Sequence, residues 1–317
     1  MVHAPPLVML ISPSRFRPNL QTAADNAYVV VDSEDDVAAE AQREHRALCD
    51  ALAGRGIKTV VLEGRDPDLP DELFLNNWFS THDDARGRSL AIIYPLRWET
   101  RRKERRADVL AALNQHYDEV LDLSPYEAQG KYLEATGSLV FDRKLKRIYA
   151  ARSQRTSEEL VRLAAGRLGY DTIVFDTIGP SGKPIYHTNV MMYLGERVAV
   201  ACVDVITKGQ REAIARKLAE DRELIRLTET QVNEFAGNGF ELSNAKGELV
   251  LAMSDRAHRS LTRDQLARLE KHYGHRIVHP DFSAVEQGGG SVRCALAALY
   301  TNNPSALLRA VSEHCGL

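Results

Sequence analysis

The 317-residue sequence predicts an α/β protein built from five strand–strand–helix–strand units closed into one ring. Three observations predict it. Five amphipathic helical segments recur along the chain. Each is followed at once by a short β-branched strand. Each is also preceded by extended apolar runs, so that the unit returns at a period of roughly 50–65 residues, a length typical of repeat architectures. A unit of that size buries little surface alone, and five of them must pack on one another around an axis. A doubly wound sheet is the competing architecture, but there helices alternate one for one with single strands.

The helices come first in the argument. The first runs from about Glu34 to Ala53, with Val37, Ala41, Leu48 and Leu52 on one face and Gly54 and Gly56 as stops. The second covers about Lys103 to Tyr117, with Leu110, Leu113 and Tyr117 inward. The third opens at Thr156 with Glu159, the fourth at Thr207 with Gln210, and the fifth at Thr262 with Gln265. Thr-x-x-Glu/Gln is the capping-box pattern, in which hydroxyl and carboxylate or amide satisfy orphan N–H groups reciprocally. The strands that follow are Thr59–Leu62, Val120–Leu121, Ile173–Phe175, Leu224–Ile225 and Ile277–Val278. The paired runs that precede are clearest as Gly137–Phe141 with Arg147–Ala150, Asn189–Tyr193 with Val198–Cys202, and Phe240–Leu242 with Leu249–Met253. The whole chain, 1–317, reads as one domain.

Composition narrows the function classes. The chain is 44% hydrophobic with a net charge of −3, which suits a protein with a sizeable core and leaves no footprint for nucleic acid. No apolar run approaches the ~20 residues of a membrane span. Residues Met1 to Pro6 lack the basic and long apolar stretches of a signal peptide. Cys49, Cys202, Cys294 and Cys315 are scattered, so a reduced, cytoplasmic protein without a cysteine metal site is expected. His275 and His279 have i, i+4 spacing but flank a β-branched strand and a proline, which argues against a metal pair. No metal or cofactor is expected, and the oligomeric state is left open. Arg101, Arg102, Lys103, Arg105 and Arg106, broken by Glu104 and followed by Asp108, read as a solvated helix face.

Special residues recur at one slot ahead of each helix. These are Asn76-Asn77-Trp78, Glu134-Ala135-Thr136-Gly137, His187-Thr188-Asn189, and Gly237-Asn238-Gly239 with Glu241. The next copy is the run Gly288-Gly289-Gly290-Ser291-Val292-Arg293-Cys294. Three consecutive glycines give up much backbone entropy on ordering, and are tolerated where the chain takes unusual angles or approaches something closely. Two readings of the run stay open on these residues alone: presentation of a reactive thiolate, or a turn before a buried, inert cysteine. Taken singly, His187 also reads as a core histidine, Glu134 as an edge charge, and Asn77 as a turn residue. Their equivalent place in the repeat favours convergence of a nucleophile, a general acid/base and an orienting carboxylate.

Glu134 near a glycine, His187-Thr188-Asn189 and the late Gly-Gly-Gly-Ser-Val-Arg-Cys294 resemble the guanidine-modifying, or pentein, superfamily of deiminases, dimethylarginine hydrolases and amidinotransferases. The resemblance covers essentially the whole chain and implies a five-bladed α/β propeller of ββαβ units. Asn19-x-x-Thr22 with Asn26, Asn76 to His82, Ser153-x-Arg155-Thr156, Met253-Ser254-x-Arg256-Ala257 and Glu286-Gln287 are most similar to citrulline-utilisation hydrolases of the amidinotransferase-like branch. It implies that Cys294 attacks the planar guanidino or ureido carbon. It further implies that His187 protonates the leaving amine and then activates water, and that Glu134 orients His187 or binds substrate nitrogens. Arg293 and a protonated His187 would favour the thiolate.

One departure bears on the substrate, a small amino acid of the citrulline or arginine class. Deiminases of the superfamily grip a guanidinium with carboxylates where this chain has Asn77 and Asn189. A buried cation facing amides loses its charge-assisted partners. A ureido group is neutral and offers both donors and an acceptor, as does an Asn amide. A citrulline substrate is therefore expected, with a guanidino hydrolase or transferase as the alternative and a non-catalytic binding ring behind both. Asn77, Asn189, Asn238, Glu241, Asn19 and Arg155 are the candidate substrate contacts. Arg152 and Arg256 are further candidates for the substrate carboxylate, and Asn19 with its neighbours for a lid.

Overall fold

The structure, a computed structural model, describes residues 4–5, 7–13, 15–30, 37–65, 68–179 and 181–317. Its strands are β1 Leu7–Ser12, β2 Lys58–Glu63, β3 Phe79–Asp83, β4 Ser89–Ile93, β5 Glu119–Asp122, β6 Val140–Asp142, β7 Arg147–Ala151, β8 Asp171–Phe175, β9 Met192–Leu194, β10 Val198–Ala201, β11 Glu223–Arg226, β12 Phe240–Ser243, β13 Leu249–Ala252, β14 Ile277–Val278 and β15 Ala297–Ala298. They form five three-stranded sheets: β15-β1-β2, β3-β4-β5, β6-β7-β8, β9-β10-β11 and β12-β13-β14. In every sheet the middle strand is antiparallel to the first and parallel to the last. A parallel pair needs a crossover, and a helix supplies each one. These helices are Val37–Ala53, Ala107–His116, Glu158–Leu168, Lys208–Leu218 and Arg263–Tyr273. The five ββαβ blades match the expected repeat.

Ring closure explains why the first unit lacks a leading strand of its own. The end of the chain provides it: β15 pairs with β1 through Val8↔Ala298 and Met9↔Ala297. The leading strands face inward, where β15 touches β3 and β9 touches both β6 and β12. The middle strands are covered on both faces, as in Val198–Ala201, which is buried throughout, and so they read as unbroken apolar runs.

Local differences from the sequence reading have identifiable causes. The expected start of the first helix at Glu34 lies outside the described residues. The second helix begins at Ala107, after a separate helical turn, Glu99–Arg102. Only the Thr262–Gln265 capping box forms as expected. The third helix caps at Ser157, because the Thr156 hydroxyl turns inward to Ser138 Oγ at 2.8 Å. The Thr207 hydroxyl meets Gln210 Oε1 instead of a backbone N–H. A further box forms at Thr228–Gln231. Helix Pro304–Cys315, outside the repeat, packs on Ala107–His116. The runs expected to be extended from Gly137 and Asn189 open as helical turns, Ala135–Ser138 and Thr188–Met191. With the turn Leu75–Asn77 these slots touch one another at the centre of the ring.

Candidate active site

The slot turns and the glycine run enclose a small cavity, lined among others by Asn77, His187 and Cys294. Glu134 backs this cavity. Its neighbour Ala135 has φ 34°, a left-handed angle that non-glycine residues adopt at an energetic cost, as functional sites often do. Glu134 Oε2 accepts from His187 Nε2 at 2.7 Å and from Arg155 Nη1 at 3.2 Å, while Oε1 accepts from the Arg97 N–H at 3.1 Å. Burial would raise the Glu134 carboxyl, but the Arg155 charge and the His187 bond outweigh it and hold the group well below the carboxylate range. An ionised Glu134 accepts only, so Nε2 carries the proton and His187 Nδ1 is left with its lone pair. Burial lowers the His187 pKa, and Glu134 opposes that in part.

Cys294 is 3% exposed. Asn238 Nδ2 lies 3.4 Å and Asn189 Nδ2 3.7 Å from its sulfur. Asn238 also donates to Asn189 O at 2.9 Å and accepts from the Arg293 N–H at 3.0 Å, which ties the fourth slot to the cysteine turn. Arg293 itself points elsewhere: its guanidinium lies over Phe240 at 3.9 Å and lines a second cavity.

Asn77 accepts from Arg101 Nη1 at 3.2 Å through Oδ1. An arginine can only donate, so the amide is locked with Nδ2 turned away from Arg101. Nδ2 is buried without a partner among the described residues, as is Asn189 Oδ1. A Cβ on Gly137 would stand 2.5 Å from Asn77 Nδ2 and 2.7 Å from His187 Nδ1, so a side chain there would displace both groups.

Arg101 corrects one expectation. It is 2% exposed and bonded to Glu104 at 2.7 Å and to Phe74 O at 3.2 Å, not part of a solvated face. The basic run is divided between the interior and half-buried pairs such as Arg105 with Glu127. Asp71 was missed altogether. It lines the cavity, accepts from Asn19 Nδ2 at 2.9 Å, and leaves Oδ1 buried and unpartnered. Burial raises its carboxyl, with Arg101 opposing. The available signal was an acid a few residues upstream of the Asn76–Asn77 slot.

The remaining candidates separate. Asn19 does not line the cavity; it holds Asp71 and Thr100. Its neighbours do cover the site: Thr22 and Asn26 line it, Asn26 Nδ2 donates to Gly289 O at 3.1 Å, and Val30 N donates to Gln287 O. Arg155 lines the cavity but is committed to Asp25 and Glu134, with Tyr186 stacked 4.9 Å away. Arg152 pairs with Glu158 and Asp176, and Arg256 with Glu234, so neither stands in the cavity. Glu241 is also outside it. It accepts from Tyr273 Oη at 2.6 Å and Glu196 N at 2.8 Å, lines the second cavity, and is pushed by burial to about 7.

The glycine run is shaped by neighbours on its outer side. Cβ atoms would stand 2.8 Å from Phe16 at Gly288, 2.4 Å from Asn26 at Gly289 and 2.8 Å from Phe74 at Gly290. Gly289 also has φ +77°. Tyr186 Oη donates to Gly289 O at 2.6 Å, and its ring lies 4.5 Å from that of His187. Asp255, His258 and His279 bring ligand atoms within 4.8 Å of one another, but Asp255 is also paired with Arg259 and none of the three lines the cysteine cavity.

Comparison with known proteins bears on the family and the fold. The family described as "N,N dimethylarginine dimethylhydrolase, eukaryotic" matches residues 12–301. No curated protein matches the chain. Among solved structures, a variant of the N-terminal domain of ArgZ bound to substrate, "an arginine dihydrolase from the Ornithine-Ammonia Cycle in Cyanobacteria", superimposes with TM-score 0.72 at 14% identity, covering 92% of this chain and 96% of that one. Unliganded AgrE gives 0.72 at 14% identity over 93% of this chain and 39% of its own. A dimethylarginine dimethylaminohydrolase variant in adduct with S-methyl-L-thiocitrulline gives 0.64 at 19% identity, over 92% and 99%. At these identities the likeness is one of fold. With the family matched over most of its length, the chain belongs to the N,N-dimethylarginine dimethylhydrolase family, hydrolases of non-peptide C–N bonds within the pentein superfamily.

Proposed function

We propose that the protein is a cysteine-dependent hydrolase of the ureido carbon of citrulline. The observation that carries this reading is the Asn77 amide, whose oxygen is held by Arg101 and whose N–H faces the cavity beside His187. A ureido oxygen accepts from that donor; a guanidinium, which has donors only, does not. Asp71 Oδ1 is a buried acceptor in the cavity without a partner among the described residues, suited to a ureido N–H group.

In this reading Cys294 attacks the ureido carbon as thiolate, and Asn77 N–H stabilises the oxyanion that develops. The C–N bond to the side-chain amine breaks. His187, carrying the thiol proton, delivers it to the leaving nitrogen and ornithine departs. His187 Nδ1 then accepts a proton from water, which attacks the S-carbamoyl carbon. Carbamate leaves, breaks down to carbon dioxide and ammonia, and the thiolate returns. Glu134 keeps His187 in the tautomer both steps need, and Asn238 holds the cysteine turn.

The guanidino alternative has its own support: Asp71 is a carboxylate in the cavity that the sequence reading did not supply. The deciding experiment incubates the protein with citrulline, arginine, methylated arginines and agmatine, and measures ornithine, citrulline and ammonia separately. Ornithine with one ammonia per citrulline is expected. Turnover confined to arginine or methylarginines, with citrulline as the end product, overturns the reading. Labelling of Cys294 by a haloacetamidine, abolished by Cys294→Ser, separates either enzyme from a binding ring.

A further inference from the structure

A second cavity lies between the inward strands, and β3, β6, β9 and β12 all contribute to its wall. Asn189 lines it from one side and reaches the Cys294 sulfur from its amide nitrogen. Two guanidiniums meet in this cavity, and both are nearly buried: Arg143 is 6% and Arg293 8% exposed. Arg143 donates to Thr81 O and to His82 Nδ1, each at 3.2 Å, and lies 3.4 Å over the Tyr300 ring. Arg293 donates through Nη1 to Leu296 O at 2.7 Å and lies over Phe240. Among the described residues neither arginine forms an ion pair with a carboxylate, and Arg293 Nε and Nη2 have no hydrogen-bond partner.

This is an unusual way to bury two cations. A charge taken out of water is strongly destabilising unless it is paired. Stacking on aromatic rings offsets part of that. Among the described residues Glu241 is the one carboxylate lining the cavity, and its oxygens are taken by Tyr273 Oη and Glu196 N. The buried imidazole His82 accepts from Arg143 as a neutral group, since burial and Arg143 beside it disfavour its protonation, and it brings no negative charge. A third group points the same way. Tyr193 Oη, a donor on the cavity wall, is buried with no partner among the described residues.

We propose that this central cavity binds a small oxyanion, carboxylate or phosphate in type, between Arg143 and Arg293 with Tyr193 Oη as a third donor. The anion supplies the missing counter-charge, and the guanidinium forks suit its oxygens. The site is separate from the cysteine cavity, whose arginines, Arg101 and Arg155, already have acidic partners.

The test is titration of the full chain with inorganic phosphate at constant ionic strength, followed by calorimetry and by melting temperature. Saturable binding near one phosphate per chain is expected, with a matching rise in Tm. Arg143→Gln is expected to weaken binding at least about tenfold and Tyr193→Phe several-fold, in line with the loss of a charged and a neutral hydrogen bond. Alkylation of Cys294 by a haloacetamidine, which blocks the cysteine cavity without adding a carboxylate, is expected to leave phosphate binding unchanged. Absence of saturable binding overturns the proposal. So does binding that survives Arg143→Gln, or that this alkylation abolishes, since that places the ion in the cysteine cavity. If Arg143→Gln does not fold, selenate-soaked crystals of the unaltered protein decide. An anomalous peak between Arg143 and Arg293 supports the site, and its absence there overturns it.

Discussion

Asn77→Asp is the sharpest perturbation of the substrate reading. The new side chain is the same size, and one carboxylate oxygen still accepts from Arg101 Nη1, which now lies 3.2 Å from Asn77 Oδ1. The group turned to the cavity changes from an N–H donor to an acceptor. Removing one donor aimed at a developing oxyanion lowers turnover by about 10²–10³. An acceptor facing the ureido oxygen adds repulsion, so citrulline kcat/KM should fall by about 10³, or ~4 kcal/mol. Arginine presents only donors there. Its turnover should hold or rise, by up to about a hundredfold, from a charged hydrogen bond of roughly 1.5–3 kcal/mol. The assay is separate quantification of ornithine and ammonia from each substrate, with Cys294 alkylation and Tm as controls for an intact site. Citrulline turnover within about threefold of the unaltered protein, with both controls unchanged, would refute the donor argument. So would an equal loss on citrulline and arginine.

Three further outcomes follow from the same geometry. Glu134→Gln removes the ionised acceptor from His187 Nε2 and Arg155; kcat should fall by about 10²–10⁴, the usual scale of general acid–base catalysis, while Cys294 still alkylates. Glu134 is depressed in the folded state, so its contribution to stability is present above the ordinary carboxylate pKa and lost in acid. The Tm-versus-pH profile of Glu134→Gln should be flatter below about pH 5. Gly289→Ala places a Cβ 2.4 Å from Asn26 Nδ2 at φ +77°, and should lower stability by about 1–3 kcal/mol by chemical denaturation and raise the citrulline KM through a displaced lid. Glu241 is raised to about 7 by burial, so its protonated form stabilises the fold at low pH and that contribution is lost as pH rises through about 7. Glu241→Gln should therefore melt higher than the unaltered protein above pH 7, by up to about 3 kcal/mol of stability, and a lower melting temperature there contradicts the argument.

Much of the fold was legible because its signals are local and repeated. A helix face, a β-branched strand and a slot of special residues recur in order, and recurrence survives errors of a few residues at each boundary. The slots also singled out Cys294, His187 and Glu134 as candidates, and a glycine run, a histidine and a glutamate at equivalent places come together once the ring closes. Capping was less legible. Thr156 carries the right pattern, yet its hydroxyl serves Ser138 inside the ring, a partner far from it along the chain. The same reason hid Arg101 and Asp71. A basic run reads as solvated until the turn Glu99–Arg102 is seen packed against the second slot.

The sequence by itself determined the five-fold repeat and the ring and named three candidate residues for nucleophilic chemistry, because periodicity and residue chemistry are properties of the chain. Only the tertiary structure decided which charges are buried and what they face. It turned Asn77 with its donor inward, brought Asp71 into the cavity, moved Glu241 and Arg293 to a second one, and left two guanidiniums there without carboxylate partners among the described residues. Desolvation and hydrogen-bond direction depend on neighbours from every blade, and no stretch of a single unit contains them.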